Sequence, residues 1–338
     1  MAFMEPSLGT HVECNFSVYS ALNSSSQASW HRTTFHTLDP QKLQPFLAYR
    51  PLEVVKKTLE NTTQLAKMIV RFPLRRHVKA RFKWANVSRI QETVSTDPIF
   101  SNVRSTFDGF LGAQIFYGCT SHCINVYGIH SKADFHKVYR DFIREHGAPS
   151  VLRRDNAKEE HNPKVIETQR ELLIKDEFCE PKHPQQNPVE SRAIKWLKET
   201  SLVLMNRCGA PASLWFHAIT YLADIHNICA DKSLNWSTPL QVRTGVTPDI
   251  SAYLQFKFWD KLLVLDTEES WPSSKEKPVR YLGVAHNIGD HLTFLVFDES
   301  TRHVLARSVL RPATLNKRVT WDPKLQLGHH RTASIGGI

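Results

Sequence analysis

The 338-residue sequence lacks the features of a membrane protein and of a secreted one. It contains no apolar run near the roughly 18 residues that would span a bilayer. Its first ten residues show no basic segment followed by an apolar one, so no secretory signal is evident. Hydrophobic residues make up 41% of the chain and charged residues 22%, which is typical of a soluble globular protein with room for two or three domains.

Cysteine is also scarce, and the six cysteines are not spaced as metal ligands. None of them forms a C-x-x-C pair, so neither a zinc ribbon nor a redox motif is indicated. Cys119 and Cys123 flank His122 in a region whose pattern predicts a strand, where successive residues face opposite sides. We therefore expect reduced, partly buried thiols in an intracellular protein.

Acidic residues are absent between Glu60 and Glu92. The same interval carries the aromatic residues Phe72, Phe82 and Trp84 and the cations Lys67, Arg71, Arg75, Arg76, Lys79, Arg81, Lys83 and Arg89. Clustered cations gain free energy from counterion release on a phosphate-rich partner, and the whole chain has a net charge of +10. A solvated linker is the alternative, since a charge run alone is weak evidence. We expect nucleic acid as the partner.

Hydrophobic periodicity divides the rest of the chain into two kinds of structure. Between residues 92 and 229, three strand-like runs are followed by alternating helices and strands, in the order β-β-β-α-β-α-β-α-α. This order predicts a mixed central sheet with helices on its faces. After about residue 255 only short strand-like runs separated by turns occur, the last from His303 to Leu310. They predict a small all-β barrel.

We divide the chain into five segments on this basis. Residues 1–40 are rich in Ser and Asn and are expected to be poorly ordered. A helical and basic approach segment covers residues 41–91, with Pro51 placed to be the first residue of a helix. The mixed core covers 92–255, the small β-barrel 256–312, and a mildly basic tail 313–338.

Two carboxylates lie at element ends, on either side of a Pro- and Gln-rich loop. Asp155 ends an apolar run, and Glu190 falls in the first turn of a helix predicted from Pro188 to about Arg207. Each has an ordinary explanation: Asp155 as a turn residue, and Glu190 as a member of a capping box that has Asn187 as N-cap. If the first strand is central, however, Asp97 on that strand can face both.

Three carboxylates brought together repel one another unless cations lie between them. Hard oxygen ligands select Mg²⁺ or Mn²⁺, and two such ions about 4 Å apart can activate an attacking oxygen and stabilise a leaving oxygen at a phosphodiester. Lys195 and Lys198, on the solvent side of the same helix, can touch phosphates there or simply remain solvated. Asp108 is the alternative first acid, but the sequence Asp108-Gly109 is typical of a turn.

These residues resemble the signature segments of retroviral-type integrases, most closely those of copia-type LTR retrotransposons. The resemblance lies in Asp97, in Asp155-Asn156-Ala157-Lys158 and in the stretch from Pro184 to Glu190, and it covers about residues 50–312. It implies a ribonuclease-H-like α/β core, with a mixed five-stranded sheet and flanking helices, followed by a small SH3-like all-β module. Two details depart from the family pattern: Ala157 replaces a glycine, and 34 residues rather than 35 separate the last two acids.

The resemblance implies a DNA integrase, a polynucleotidyl transferase that processes DNA 3′ ends and transfers strands. It implies Asp97, Asp155 and Glu190 as catalytic residues and as ligands of two Mg²⁺ or Mn²⁺ ions. It also implies DNA as the partner, a homo-oligomer assembled on DNA, no membrane, and residence in the nucleus. DNA contacts are expected from Asn187, Lys195, Lys198, Arg75, Arg76, Lys79, Arg81 and Lys83.

Alternatives remain open within this resemblance. The zinc module with paired His and paired Cys that such integrases carry is not visible, since Cys14 is the one cysteine before Asp97. Protease, reverse transcriptase and Gag segments are not visible either, so we expect an excised integrase, a fragment of an element or a domesticated remnant. The rival functions are a catalytically inactive DNA-binding remnant of the same fold and a ribonuclease-H-like nuclease.

Overall fold

The computed structural model describes residues 39–64, 80–155, 162–180, 187–265, 275–289 and 292–313. The predictions for the Ser- and Asn-rich N-terminus, for the tail, and for Arg75, Arg76, Lys79 and Asn156-Ala157-Lys158 lie outside these residues. The chain divides into two compact units, Met1–Leu43 and Gln44–Ile338. In the first unit the described residues form the short helix α1, Pro40–Leu43.

The second unit contains every other described element. Its first sheet consists of β1 (Arg89–Phe100), β2 (Gly112–Gly118), β3 (Ile124–Ile129), β4 (Ala148–Arg154) and β5 (Lys175–Phe178). Its described helices are α2 (Leu52–Asn61), α3 (Phe135–His146), α4 (Pro163–Glu171), α5 (Lys195–Cys208), α6 (Trp215–Ile228) and α7 (Pro239–Thr244). Pro51 is the N-cap residue of α2, whereas the sequence predicts it as the first residue of the helix.

The strand order of this sheet is β3-β2-β1-β4-β5. β1 runs antiparallel to β2 and parallel to β4, β5 continues parallel to β4, and β3 is antiparallel to β2. β1 is therefore the central strand, and its residues Val94, Ser95 and Thr96 have no exposed surface. The predicted ribonuclease-H-like mixed sheet with flanking helices is confirmed.

Helix α3 covers one face of the sheet with an apolar stripe, which the helical spacing of Phe135, Val138, Phe142 and Ile143 predicts. Its buried residues are Phe135, Val138, Tyr139, Phe142 and Ile143. All of these except Val138 join Val94, Phe116 and Leu152 of the sheet in one hydrophobic cluster. Gly147 ends the helix with a φ of 108°, a conformation that side-chain-bearing residues rarely adopt. Because side chains alternate along a strand, this packing turns Ser95 and Asp97 to the opposite face.

Part of the predicted approach segment is folded onto α6. The Tyr221 hydroxyl donates to the Phe46 carbonyl over 2.7 Å, and the Ala230 amide donates to Thr58 Oγ1 over 2.8 Å. Leu47 and Val55 are fully buried. Residues 44–64 thus contribute to the same packed structure as α6, whereas the boundary at residue 91 stays a prediction, with β1 beginning two residues before it.

A second, all-antiparallel sheet follows. It consists of β6 (Lys261–Leu265), β7 (Glu276–Val284), β8 (Phe294–Phe297), β9 (Val304–Arg307) and β10 (Leu310–Pro312), in the order β10-β6-β7-β8-β9. The single strand predicted from His303 to Leu310 is wrong, because β9 pairs with β8 whereas β10 pairs with β6. The predicted all-β module of SH3-like type is confirmed as this sheet.

The two edges of the second sheet lie close together. Arg307 ends one edge strand and Leu310 begins the other, and three residues of chain span at most about 11 Å. A five-stranded sheet whose first and last strands are this close must curl, which is the geometry of a small barrel.

The second sheet packs against the core through α6. The buried Tyr281 of β7 meets Tyr221 edge to face, with ring centroids 6.4 Å apart, and His286 Nε2 lies 2.8 Å from Asp224 Oδ2. α6 is therefore covered on one side by residues 44–64 and on another by β7. Across the described ranges, no helix has the length and apolar character needed to cross a membrane.

Candidate catalytic site

Asp97 lies on β1, and Asp155 directly follows the neighbouring parallel strand β4. β1 and β4 pair Ser95 with Arg153, so two residues further along each strand the register places Asp155 beside Asp97. Paired residues of parallel strands turn their side chains to the same face of a sheet. β4 ends at Arg154, and Asp155 is the exposed residue directly after it. The sheet itself thus brings two of the three predicted acids together.

β1 extends beyond the end of β4. Pro98 lies in this extension and pairs with Gln114 of β2 on one side only, as far as the described strands show. A proline tolerates this position because it has no amide hydrogen to offer a second neighbour. The flank of β1 next to Asp97 is therefore open to other parts of the chain.

Asn187 ties the start of the helical segment to β1. The Ser95 hydroxyl donates to Asn187 Oδ1 over 2.5 Å, and Asn187 Nδ2 donates to the Thr96 carbonyl over 3.5 Å. Asn187 directly precedes the helical residues, and the Glu190 amide donates to its carbonyl over 3.3 Å. The Asn187 side chain bonds to β1, however, and does not cap the helix, so the capping box that would explain Glu190 does not form. Asn187 is only 4% exposed and its amide group bonds within the protein, so its contact with DNA stays a prediction.

Glu190 lies in a π-helical segment, Val189–Ile194, which the sequence does not predict. The Lys195 amide donates to the Glu190 carbonyl, five residues back. Such wide turns are rare inside helices and frequent at functional sites. Because Ser95 and Asp97 share one face of β1, the bond from Ser95 to Asn187 places this segment, and Glu190 with it, over the face that carries Asp97.

A uniform step of 100° per residue predicts one apolar arc along this helix, made of Ala193, Trp196, Leu197, Val203 and Leu204. Ala193, Leu197 and Leu204 are buried as this arc predicts, whereas Val203 is 50% exposed and Ser201 is buried. A prediction that assigns 100° to every residue cannot include the π-helical turns, whose angular step is smaller. The predicted exposure of Lys195 and Lys198 agrees with the structure.

The electrostatics of Asp97 show that the three acids lie near one another. The pKa of Asp97 is raised from 3.8 to about 7, first by burial, then by the charge of Glu190 and then by that of Asp155. Lys198 and Lys132 act in the opposite direction. Like charges raise the pKa of a carboxyl because they disfavour its ionised form. The carboxylates at the end of β4 and in the π-helical segment thus act on the ionisation of Asp97 on β1.

The donor set fits a divalent cation chemically, because clustered hard oxygens that repel one another are what Mg²⁺ and Mn²⁺ neutralise. Within the part of the chain that the structure describes, however, no group of three or more candidate ligands is drawn together closely enough to hold an ion. The three carboxylates are thus near enough to act on the pKa of Asp97 through space, but they are not drawn into one ligand group.

Lys132 is a cation near the site that sequence reasoning missed. It follows β3 in a short 3₁₀ turn, and its Nζ lies 5.7 Å from the ring centroid of Phe100, the last residue of β1. Its charge lowers the pKa of Asp97. No local pattern marks this lysine. It reaches the site because β2 pairs with both β1 and β3, so that the ends of β1 and β3 meet.

Arg81 and Lys83, two predicted DNA contacts, lie elsewhere. Both are exposed in the turn before β1, and Lys83 forms an ion pair with Glu171 of α4. From Arg89 to Asp97 the chain advances eight residues along β1, about 26 Å at the usual rise of a strand. The structure therefore does not bring these two cations to the acids.

Two ion pairs fix the end of β4 next to Asp155. Arg154 is fully buried, with its Nε 2.9 Å and its Nη2 2.5 Å from the carboxylate oxygens of Asp176 on β5. Arg153 donates to Glu177 from two nitrogens, over 3.0 and 3.1 Å. In the sequence, these two ion pairs correspond to the adjacent residues Arg153-Arg154 and Asp176-Glu177. Bidentate pairs of this kind orient the strand end that leads into Asp155.

No protein-family model matches the sequence, and no curated protein matches it. Solved structures that resemble the chain include the catalytic core domain of BIV integrase, which is 15% identical, with 46% of this chain and 95% of that chain covered and a TM-score of 0.37. A chain of the simian T-cell lymphotropic virus intasome in complex with the PP2A regulatory subunit B56 gamma is 13% identical, with 82% and 100% covered and a TM-score of 0.40.

A third similar structure is the HTLV-2 integrase catalytic core domain in complex with magnesium. It is 12% identical, with 46% of this chain and 97% of that chain covered and a TM-score of 0.36. At these identities and TM-scores the likeness assigns no function to this chain.

Proposed function

We propose that this chain is an integrase-like polynucleotidyl transferase of the copia-type LTR retrotransposon kind, which cleaves and joins DNA phosphodiesters. One observation carries the proposal: the raised pKa of Asp97, caused after burial by Glu190 and then by Asp155. Three acids from separate elements are held on one face of a sheet at an electrostatic cost. Groups of carboxyls with perturbed pKa values are typical of catalytic sites, where the destabilising charges serve the reaction.

Asp97, Asp155 and Glu190 would hold two Mg²⁺ or Mn²⁺ ions in this proposal. The bound ions supply activation of the attacking oxygen and stabilisation of the leaving oxygen. Asp97 sits on the central strand, directly after the fully buried Ser95 and Thr96. Glu190 is positioned through Asn187, which bonds to Ser95 two residues before Asp97. Asp155 is positioned by the ion-paired end of β4.

The chain's own cations would bind the substrate. Lys198 on α5 and Lys132 after β3 both act on the pKa of Asp97, so a phosphate at the acids has a positive charge from two different elements. Lys195 is exposed one turn before Lys198. The net charge of +10 supports DNA as the partner. Nuclear residence and an oligomer assembled on DNA belong to the same proposal.

The test uses three single variants, Asp97→Asn, Asp155→Asn and Glu190→Gln, with Asp108→Asn as the matched control. We expect each of the three to lower strand transfer and cleavage of duplex DNA at least about a thousandfold, because the ions contribute several kcal/mol to the transition state. Asp108→Asn should keep activity, since Asp108 lies in a turn away from β1. Calorimetry with Mn²⁺ measures ion binding by the same proteins.

Each other outcome points to a defined alternative. If Asp108→Asn abolishes activity and Asp97→Asn does not, the first acid is Asp108. If the wild-type chain binds DNA yet neither binds Mn²⁺ nor cleaves, it is a DNA-binding remnant. Preferential cleavage of RNA–DNA hybrids over duplex DNA would identify a ribonuclease-H-like nuclease.

A further inference from the structure

The turn that leads into β1 displays two large aromatic side chains to solvent. Phe82 is 60% exposed and Trp84 is 43% exposed. Their ring centroids lie 6.2 Å apart with 24° between the ring planes, so the two rings face the same way. We call residues 80–86 the stacking turn. Single exposed apolar residues need no explanation, but an adjacent aromatic pair marks an interaction surface.

The stacking turn has a defined backbone. Asn86 closes it with three side-chain bonds: its Oδ1 accepts from the Ala80 amide over 2.7 Å, and its Nδ2 donates to the carbonyls of Ala80 and Phe82 over 3.0 and 3.1 Å. The Ala85 amide donates to the Phe82 carbonyl over 3.2 Å, which closes a 3₁₀ turn. The backbone that carries the two rings is therefore fixed before any partner binds, which lowers the entropy cost of binding.

Cations alternate with the aromatic residues in this turn. Arg81 and Lys83 are exposed on either side of Phe82. Lys83 pairs with Glu171 of α4, with 71% and 37% of the two side chains exposed. Such a surface pair is weak, so the lysine can exchange the carboxylate for a phosphate. Arg89, in contrast, donates to the carbonyls of Leu172 and Leu173 and is engaged within the protein.

We propose that the stacking turn binds unpaired nucleotides of a nucleic-acid strand. Phe82 and Trp84 stack on the faces of bases, and Arg81 and Lys83 contact the flanking phosphates. Aromatic rings interleaved with cations suit a single strand, because stacking needs an exposed base face and accepts any base. A duplex hides those faces between its base pairs. The inference rests on the proposed function in one respect: the DNA that the site processes supplies the strand.

The position of the turn sets where this contact falls. Arg89 begins β1 about 26 Å from Asp97. At 3.4 Å per nucleotide along one strand, that length corresponds to roughly eight nucleotides. The stacking turn therefore binds a part of the DNA remote from the phosphodiester at the acids. It acts in substrate binding, with no part in the chemical step.

The test measures binding without divalent ions, so that it does not depend on catalysis. The full chain is titrated, in EDTA, into a fluorescently labelled 20-nucleotide oligothymidylate and into a blunt 20-base-pair duplex, and anisotropy gives both values of Kd. The variant is Phe82→Ala with Trp84→Ala. The matched control is Phe107→Ala, which removes an aromatic ring that is 56% exposed in a loop without this pattern of cations.

We expect the double variant to raise Kd for oligothymidylate at least tenfold and Kd for the duplex less than twofold, whereas Phe107→Ala changes neither. The conservative exchange Phe82→Trp with Trp84→Phe should retain wild-type binding, since either ring stacks on a base. Circular dichroism and the Tm of each variant verify that it is folded.

Three results would overturn the inference. Equal losses on both ligands would show that the turn contacts only the backbone of DNA. No loss on either would mean that the aromatic pair serves a protein partner. A loss that Phe107→Ala reproduces would show an unspecific effect of aromatic surface. Binding is measured in EDTA and cleavage with Mn²⁺, so an inactive catalytic site and a failed stacking turn give different results.

Discussion

Strand β1 carries two acids, Glu92 and Asp97, five residues apart and in opposite surroundings. Glu92 is 8% exposed and fully provided with donors. The amides of Thr120 and Ser121 donate to its Oε2 over 3.2 and 2.8 Å, and the Ser121 hydroxyl and Arg243 Nε donate to its Oε1 over 2.8 and 3.1 Å. The neighbours that most perturb Asp97 are two further acids.

Burial therefore does not distinguish a structural acid from a candidate catalytic one, since Glu92 is the more buried of the two. The partners distinguish them. Glu92 joins β1 to the loop after β2 and, through Arg243, to α7, so its charge is used in holding elements together. Burial and two neighbouring acids disfavour the ionised form of Asp97. This condition is expected of a carboxyl that binds a cation or a substrate.

The largest expected effect is on stability and separates the two acids directly. Glu92→Gln leaves the Arg243 guanidinium, whose side chain is 7% exposed, without its countercharge. Removing one partner of a buried pair costs about 3–5 kcal/mol, so urea denaturation should show a loss of that order. Asp97→Asn should leave the free energy of unfolding unchanged or raise it, because it removes repulsion. Equal losses in the two variants would erase the distinction.

The next effect is a pH dependence. The folded-state pKa of Asp97, about 7, lies above its ordinary value of 3.8, so between these pH values the folded chain binds more protons than the unfolded one. Stability should therefore fall as pH rises from about 4 to about 7, by at most about 1.4 kcal/mol per pH unit, and level off above that. The measurement is the difference in unfolding free energy between wild type and Asp97→Asn across this window.

A pH-independent difference would contradict the raised pKa. Mn²⁺ offers a second readout. If the ion binds at these acids, binding at pH 6 should release protons, and calorimetry in two buffers of different ionisation enthalpy counts them.

The smallest effect concerns the link between Asn187 and Ser95. Asn187→Ala leaves the fully buried Ser95 hydroxyl without its acceptor, which costs about 1–3 kcal/mol. It should also free the start of the π-helical segment and so lower the pKa of Asp97, because Glu190 is no longer held over β1. A double-mutant cycle with Ser95→Ala measures the coupling, and additive losses would show that the two side chains do not act together.

Much of the fold followed from local patterns. The order of strands and helices along the chain and the apolar stripe of α3 were predicted because hydrophobic periodicity is a property of neighbouring residues. The turn pattern of Asp108-Gly109 and the position of Asp97 on a strand selected Asp97 over Asp108, and the register of β1 with β4 places Asp97 beside Asp155. The roles of these residues stay proposals.

What escaped prediction depends on contacts between distant residues. The pair of Glu92 with Arg243 spans 151 positions, and the one of Ser95 with Asn187 spans 92. Nothing in either local sequence announces them. Asn187 looked like an N-cap because Asn before Pro is a common helix start, but tertiary contacts with a strand took its side chain instead. The π-helical turns depend on the same contacts.

The packing of α6 has a consequence for the order in which the protein is made. Residues 44–64 are synthesised well before some of their partners, which include Tyr221, Ala230 and Ile250. From residue 64 to residue 250 the nascent chain grows by 186 residues, which takes roughly 10–40 s at about 5–20 residues per second. During that interval Leu47 and Val55 lack the surface that later buries them. The five strands of the first sheet emerge before α6 does. That sheet can therefore form before residues 44–64 can pack against α6.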